Sequence, residues 1–154
     1  HHLGFVGEVM AEARGILPPE VPIHLYGAGD PVELPFYVAL GCDVFDSSSF
    51  LHYARNGSYM TPYGAVAEGE ALDEAAFTCT CPYCRQRGSR EVRRDAALLC
   101  RHNLWTVLAT VDTIRTHVEE GTLPGYLDEV LRVHQAWFPA SMLGPSWRGA
   151  GAEE

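Results

Sequence analysis

Residues 21–45 read "VPIHLYGAGDPVELPFYVALGCDVF", and this stretch decides the fold class. Val21 to Tyr26 form a short apolar run bounded by Gly27 and Gly29, the pattern of a buried strand whose C-terminal end opens into a functional loop. Asp30, Pro31 and Glu33 then supply a capping acid, a proline suited to a first helical turn and an acid that favours the helix N-terminus. The helix they start is expected to stop at Gly41, and "CDVF" at 42–45 reads as a second buried strand. A strand–helix–strand unit of this length points to parallel strands and an α/β fold.

Working outward, "LGFVGEVMAEARG" at 3–15 carries Val6, Val9, Met10 and Ala13 at helical spacing. Residues 46–66, rich in Ser, Gly and Asn, read as loop with short extended pieces. From Asp95 onward Leu98, Leu99, Leu104, Val107, Leu108, Val111, Ile114 and Val118 keep a 3.6-residue stripe, which predicts a long amphipathic helix ending near Glu120. A shorter helix follows over 125–138, and the tail from about 144 is expected to fray.

The chain has 154 residues, enough for one ordinary domain, and 47% of them are hydrophobic. No apolar run approaches the ~20 residues of a membrane helix, which makes the cytoplasm the default address. His1 and His2 run into "LGFVGE" without a Met, so the chain is expected to begin inside a longer reading frame or to carry a tag remnant. The formal charge is −9, and every basic residue is Arg. Net charge argues weakly against nucleic acid, but six of the eleven arginines fall between Arg85 and Arg101, either as a solvated segment or as a phosphate footprint.

Inside the same region Cys79, Cys81 and Cys84 form a C-x-C-x-x-C knuckle, followed by His102 near the start of the long helix. Three thiolates and one imidazole are the ligand set of a closed, tetrahedral structural Zn2+ site, one ion per chain, with no open position to activate water. Disulfides are disfavoured in a cytoplasmic chain, and a redox C-x-x-C usually lacks an adjacent third Cys. Cys100 competes with His102 as fourth ligand but, two residues away, projects from another side of a helix. Cys42 reads as a small buried residue, and His52, His117 and His134 are assigned no role.

Asp46 directly follows a strand, where α/β sheets place their chemistry; the competing reading is a loop-capping Asp that binds the amides of Ser48 or Ser49.

Taken in order, "LGFVGE", "HLYGAGDP", "GCDVFDSSSF", "ARNG", the knuckle and "HNLW" resemble the C-terminal part of the tRNA-guanine transglycosylase family, closest to its archaeal-type branch, over about residues 3–120. Members are zinc-containing (β/α)8 TIM barrels that exchange guanine in a polynucleotide for a 7-deazaguanine base. The resemblance therefore implies the C-terminal portion of such a barrel with an inserted structural zinc subdomain. It divides the chain into the last β/α units with the catalytic strand end (1–64), the zinc subdomain and long helix (65–121), a C-terminal helix (122–143) and a flexible tail (144–154).

By the same resemblance Asp46 matches the nucleophile that forms a covalent ribosyl intermediate, and such double displacement retains configuration. Leu3, Gly4 and Phe5 match the segment whose backbone lines the base pocket, and Tyr26 with Gly27 matches the wall over one face of the base. Arg55 matches a region touching the nucleic-acid backbone, and Cys79, Cys81, Cys84 and His102 match the zinc ligands.

The family's second catalytic aspartate lies in a barrel half that this sequence does not contain, so the 154 residues alone are expected to be inactive. The implied activity is a pentosyltransferase acting on tRNA in queuosine or archaeosine formation. Alternatives are a DNA-directed 7-deazaguanine relative, a non-catalytic zinc-containing partner subunit, or an unrelated zinc-stapled α/β domain. A homodimer through the zinc region is also implied.

Overall fold

The structure is a computed structural model that describes residues 2–72 and 77–150. Its elements are α1 (Leu3–Ile16), β1 (His24–Tyr26), α2 (Leu34–Ala39), β2 (Val44–Asp46), α3 (Ser49–Arg55), β3 (Tyr59–Thr61), β4 (Gly64–Val66), α4 (Pro82–Arg87), α5 (Ser89–Val92), α6 (Ala96–Glu119), α7 (Leu123–Trp137) and α8 (Leu143–Gly149).

The expected strand–helix–strand unit is present: β1 and β2 pair in parallel, with His24 opposite Val44, Leu25 opposite Phe45 and Tyr26 opposite Asp46. The strands are shorter than expected and covered on one face only. Pro22 has no amide to give a ladder. Leu25 and Phe45 pack against the main core, while His24, Tyr26, Val44 and Asp46 share the open face. Arg14 of α1 fastens the unit at its far end, donating to the carbonyls of Val21 and Gly41 and pairing with Asp43.

The helix of this unit also starts later than Asp30 and Pro31 suggest. The Asp30 carbonyl accepts from both Glu33 and Leu34, so residues 31–33 form a turn and α2 begins at Leu34.

Two apolar clusters organise the chain. The larger joins Leu3 and Met10 of α1, Leu34 and Phe36 of α2, Ile114 of α6, and Leu127 and Val130 of α7. The smaller joins Ala54, Tyr59, Cys81, Cys84, Val92 and Leu99 around the cysteine knuckle. The knuckle's packing thus recruits α3 and β3 from the segment expected to belong with the barrel units. At about 1.5 Å per residue, the 24-residue α6 extends roughly 36 Å and reaches both clusters. Asp95 caps it by accepting from the amides of Ala97 and Leu98.

Three expectations are corrected. Residues 46–66 hold a helix, α3, where loop was expected, while the expected short extended pieces are the strands of an antiparallel hairpin, β3–β4. Leu143–Gly149 is helical and packs on α1, with Leu143 fully buried, where a frayed tail was expected; residues 151–154 lie outside the described residues. The apolar stripe of α6 is its buried face only in part: Leu99 and Ile114 are buried and Leu98, Val107 and Val111 pack against the two clusters, but three of its members face out. His102, Asn103, Thr106 and Thr110 are buried beside Leu99 and Ile114, whereas Leu104, Leu108 and Val118 are 39%, 57% and 51% exposed. The reason is polar docking: Asn103 accepts from the Met60 amide and donates to the carbonyls of Phe50 and Ser58, satisfying backbone that the short β3 leaves unpaired.

Candidate active strand end and metal centre

Asp46 is the last residue of β2, and in-register pairing places it beside Tyr26 at the C-terminal end of the two-stranded sheet. Its Oδ1 accepts from the Gly27 amide at 3.0 Å and contacts His24 Nε2 at 2.9 Å. The Gly27 amide, followed by the His24 ring, holds the carboxyl below the usual carboxylate range, so it is ionised at neutral pH. Gly27 turns away from the strand at φ 78°, a conformation that suits glycine and aims its amide back at Asp46. The loop-capping role falls to Ser47 instead, whose Oγ accepts from the Ser49 amide at 2.9 Å.

Beside Asp46 lies an open cleft of about 590 Å3 lined by Phe5, Tyr26, Gly27, Gly29, Asp30, Glu33, Tyr37 and Tyr53 among others. Phe5 and Tyr26 are 68% and 84% exposed, so two aromatic faces stand at its mouth. Leu3 is buried in the core and Gly4 lies against the carbonyl of Gly149, so neither side chain position faces the cleft. Both residues do belong to the first turn of α1, where backbone amides lack intrahelical acceptors. Ser49 Oγ donates to the Gly29 carbonyl, and Tyr53 OH donates to Asp30 Oδ2 at 2.8 Å; both bonds tie the loop after β1 to α3. Burial pushes the Asp30 carboxyl up, with Tyr53 opposing. Arg55 ends α3 and is exposed.

The metal ligands come together as their spacing implies. His102 Nδ1 lies 3.5, 3.4 and 3.6 Å from the Sγ atoms of Cys79, Cys81 and Cys84. A tetrahedron with Zn–S of about 2.3 Å and Zn–N of about 2.0 Å has S···N edges of roughly 3.5 Å, so this donor set fits one zinc ion. All four ligand atoms lie within 4.8 Å of one another, and Cys100 is outside the group.

The surrounding contacts orient the ligands. Amides of Cys81 and Cys84 donate to the sulfurs of Cys79 and Cys81. His102 Nε2 lies 2.8 Å from the Met60 carbonyl, which leaves Nδ1 as the metal-facing nitrogen. Tyr59 stacks on the imidazole at 3.8 Å and sets its hydroxyl 3.2 Å from Cys84 Sγ.

A family model described as queuine tRNA-ribosyltransferase matches residues 5–136, taking in the strand end, α3, the knuckle and α6. The chain belongs to the tRNA-guanine transglycosylase family. It is similar to the tRNA-guanine(15) transglycosylase of Methanopyrus kandleri, 36% identical over 154 residues that cover 96% of this chain and 32% of that protein. The enzymes of that description from Pyrococcus abyssi and Methanococcus maripaludis strain C5 are each 36% identical, over 88% and 84% of this chain and 24% and 21% of their own lengths. The chain therefore spans between about a fifth and a third of these relatives.

Sequence reasoning passed over His24, Asp30 and Tyr53. For His24 a signal existed: strand alternation puts it on the face of Tyr26, and parallel pairing brings that face to Asp46. For Asp30 the sequence signals only a helix cap.

Proposed function

We propose that this chain supplies the nucleophile and the zinc-stapled part of a TIM-barrel transglycosylase that replaces guanine in tRNA with a 7-deazaguanine base. The observation that carries this reading is the Asp46 carboxylate, ionised and gripped through Oδ1 at a strand end beside an aromatic-walled cleft.

Oδ2, which neither Gly27 nor His24 engages, attacks C1′ of the target ribose as the C1′–N9 bond breaks. Guanine departs with the electron pair of that bond and takes up a proton, leaving an aspartyl–ribosyl ester. N9 of the incoming base loses its proton, attacks C1′ and releases Asp46, so configuration is retained. Phe5 and Tyr26 stack on the base, and the first-turn amides of Leu3, Gly4 and Phe5 together with the backbone at Gly27 hydrogen-bond its edge. Arg55 meets the nucleic-acid backbone.

Bound zinc, held by Cys79, Cys81, Cys84 and His102, supplies folding energy to the knuckle and takes no part in the chemistry. The acid that moves protons to and from the base belongs, on this reading, to the other half of the barrel, so activity requires that half. The exposed Leu104 and Leu108 of α6 supply the apolar face for a homodimer. No described helix is long and apolar enough to cross a membrane, and the cytoplasm, where tRNA is modified, is the proposed location.

The test is labelled-guanine exchange into tRNA, and in parallel into duplex DNA, by the complete natural polypeptide with Asp46→Asn beside it. Exchange into tRNA that vanishes in the variant carries the reading. Exchange into DNA alone moves the substrate, and zinc-bound protein without exchange into either overturns the catalytic assignment in favour of a partner subunit.

A further inference from the structure

Charge in this chain is segregated. Residues 85–101 hold six arginines against two acids, whereas the other 137 residues hold five arginines against eighteen acids. A segment of about +4 thus sits in a background of about −13, and Glu91 and Asp95 do not balance its charge from within.

Structure gives this segment a shape. A groove of about 710 Å3 runs between Ser89, Arg90, Arg93 and Arg94 on one wall and Gly57 with residues 68–72 on the other. Arg93 is committed to the frame, donating to the carbonyls of Ala67 and Glu70 and so locking one wall to the other. Arg90 and Arg94 stay exposed on the basic wall. Glu68 and Glu70 line the far wall; Glu70 is turned to accept from the Ala67 amide, and Glu68 lies over Gly57. Helix α4 packs on α5 and carries Arg85 and Arg87, the latter paired with Glu91.

The groove is also connected to the chemistry. Helix α3 starts three residues after Asp46 and ends at Arg55, two residues before Gly57 on the groove wall. Seven helical residues rise about 10 Å, so a strand leaving the ribose at Asp46 reaches Arg55 and then the groove within a few nucleotides.

We propose that the wall formed by Arg90 and Arg94 is a docking surface for the phosphodiester backbone of the nucleic acid whose base is exchanged at Asp46. The inference rests on the transglycosylase reading but assigns a surface to it. Arginine forks match phosphate oxygens in pairs, and each such contact releases condensed counterions, which gives the surface a measurable signature in salt.

The experiment uses the complete natural polypeptide with Arg90→Gln/Arg94→Gln, the charge-keeping Arg90→Lys/Arg94→Lys, and Arg115→Gln, an exposed arginine paired with Asp112 toward the other end of α6. An unmodified tRNA transcript and a DNA duplex serve as probes, followed by fluorescence anisotropy from about 50 to 200 mM NaCl. The glutamine pair is expected to weaken binding at least several-fold and to flatten the log–log salt slope by about two, one per lost phosphate contact. The lysine pair and Arg115→Gln should keep the slope, Arg115→Gln should keep kcat as well, and zinc content should hold in every variant. An unchanged slope in the glutamine pair, with wild-type exchange intact, overturns the docking surface and leaves the transglycosylase reading standing. A flattened slope with no exchange by wild type overturns that reading and keeps the surface.

Discussion

His24 Nε2 lies 2.9 Å from Asp46 Oδ1 across the parallel pair β1–β2, on the same oxygen that takes the Gly27 amide. Two donors on one oxygen fix the rotation of the carboxylate and leave the other oxygen outside both contacts. Replacing His24 with Phe leaves Gly27 as the sole anchor. The complete enzyme should then lose roughly tenfold in kcat, the low end for a hydrogen bond to a charged group because the pair is half exposed, with KM for RNA unchanged. His24→Gln, which keeps a donor, should recover part of that loss. Steady-state and single-turnover exchange would separate the two, and equal kcat in the His24→Phe variant and the wild type would remove His24 from any positioning role.

Zinc removal should act on one apolar cluster before the other. Cys81 is fully buried, caps α4 through its sulfur and shares the small cluster with Tyr59 and Leu99. Cys81→Ala is expected to abolish the single bound zinc and lower the thermal midpoint by about 10 °C or more, since the binding energy of a structural metal is folding energy. Hydrogen exchange should rise first over residues 77–106, while α1, α2 and α7 keep their protection. Wild-type zinc content in the variant, read by atomic absorption, would exclude Cys81 as a ligand.

How much of this was legible in the sequence follows from which interactions are local. The knuckle and the second parallel strand are written in residue type and spacing: the four ligands gather as their spacing implies, and the strand expected over 42–45 lies at Val44–Asp46. The helix at 49–55 was not legible because "DSSSF" is turn chemistry, and α3 is held by distant partners: Tyr53 on Asp30 and Asn103 on the Phe50 carbonyl. Periodicity located α6 from Asp95 to near Glu120 but misplaced part of its buried face, where hydrogen-bonding needs of β3 and the metal site outrank hydropathy. His24 needed strand register, which no single segment contains.

Asp30 should leave a pH signature on stability. Burial raises its carboxyl above the unfolded value, so the fold binds this proton more tightly than the unfolded chain. Its contribution is then fully present below the unfolded pKa and is lost as pH rises through the higher folded value. Asp30→Asn removes that loss while keeping an oxygen for the Val32 amide, and should flatten the fall in thermal midpoint from about pH 4 upward. Glu33, raised by the same cause, keeps a residual slope. Tyr53→Phe deletes a bond that favours the ionised form and should steepen the fall. Parallel curves for all three proteins would mean that Asp30 titrates as an ordinary surface acid.

The face of α6 turned away from Asn103 carries two exposed leucines. Leu104 and Leu108 are one turn apart and exposed, on a helix whose opposite side is docked by hydrogen bonds to α3 and β3. A single chain gains nothing from presenting two leucines to water, whereas a second copy would bury them along with the flanking Val111 and Trp105 side chains, which are already half covered. Changing both leucines to Glu costs the monomer little, because neither contributes to a buried cluster. It places like charges opposite one another in a two-fold interface. The doubly substituted protein should therefore elute as a monomer with its zinc and thermal midpoint intact, whereas wild type is expected to sediment as a dimer. Sedimentation velocity at several concentrations checks this, and identical association in both proteins would assign the leucines to no interface.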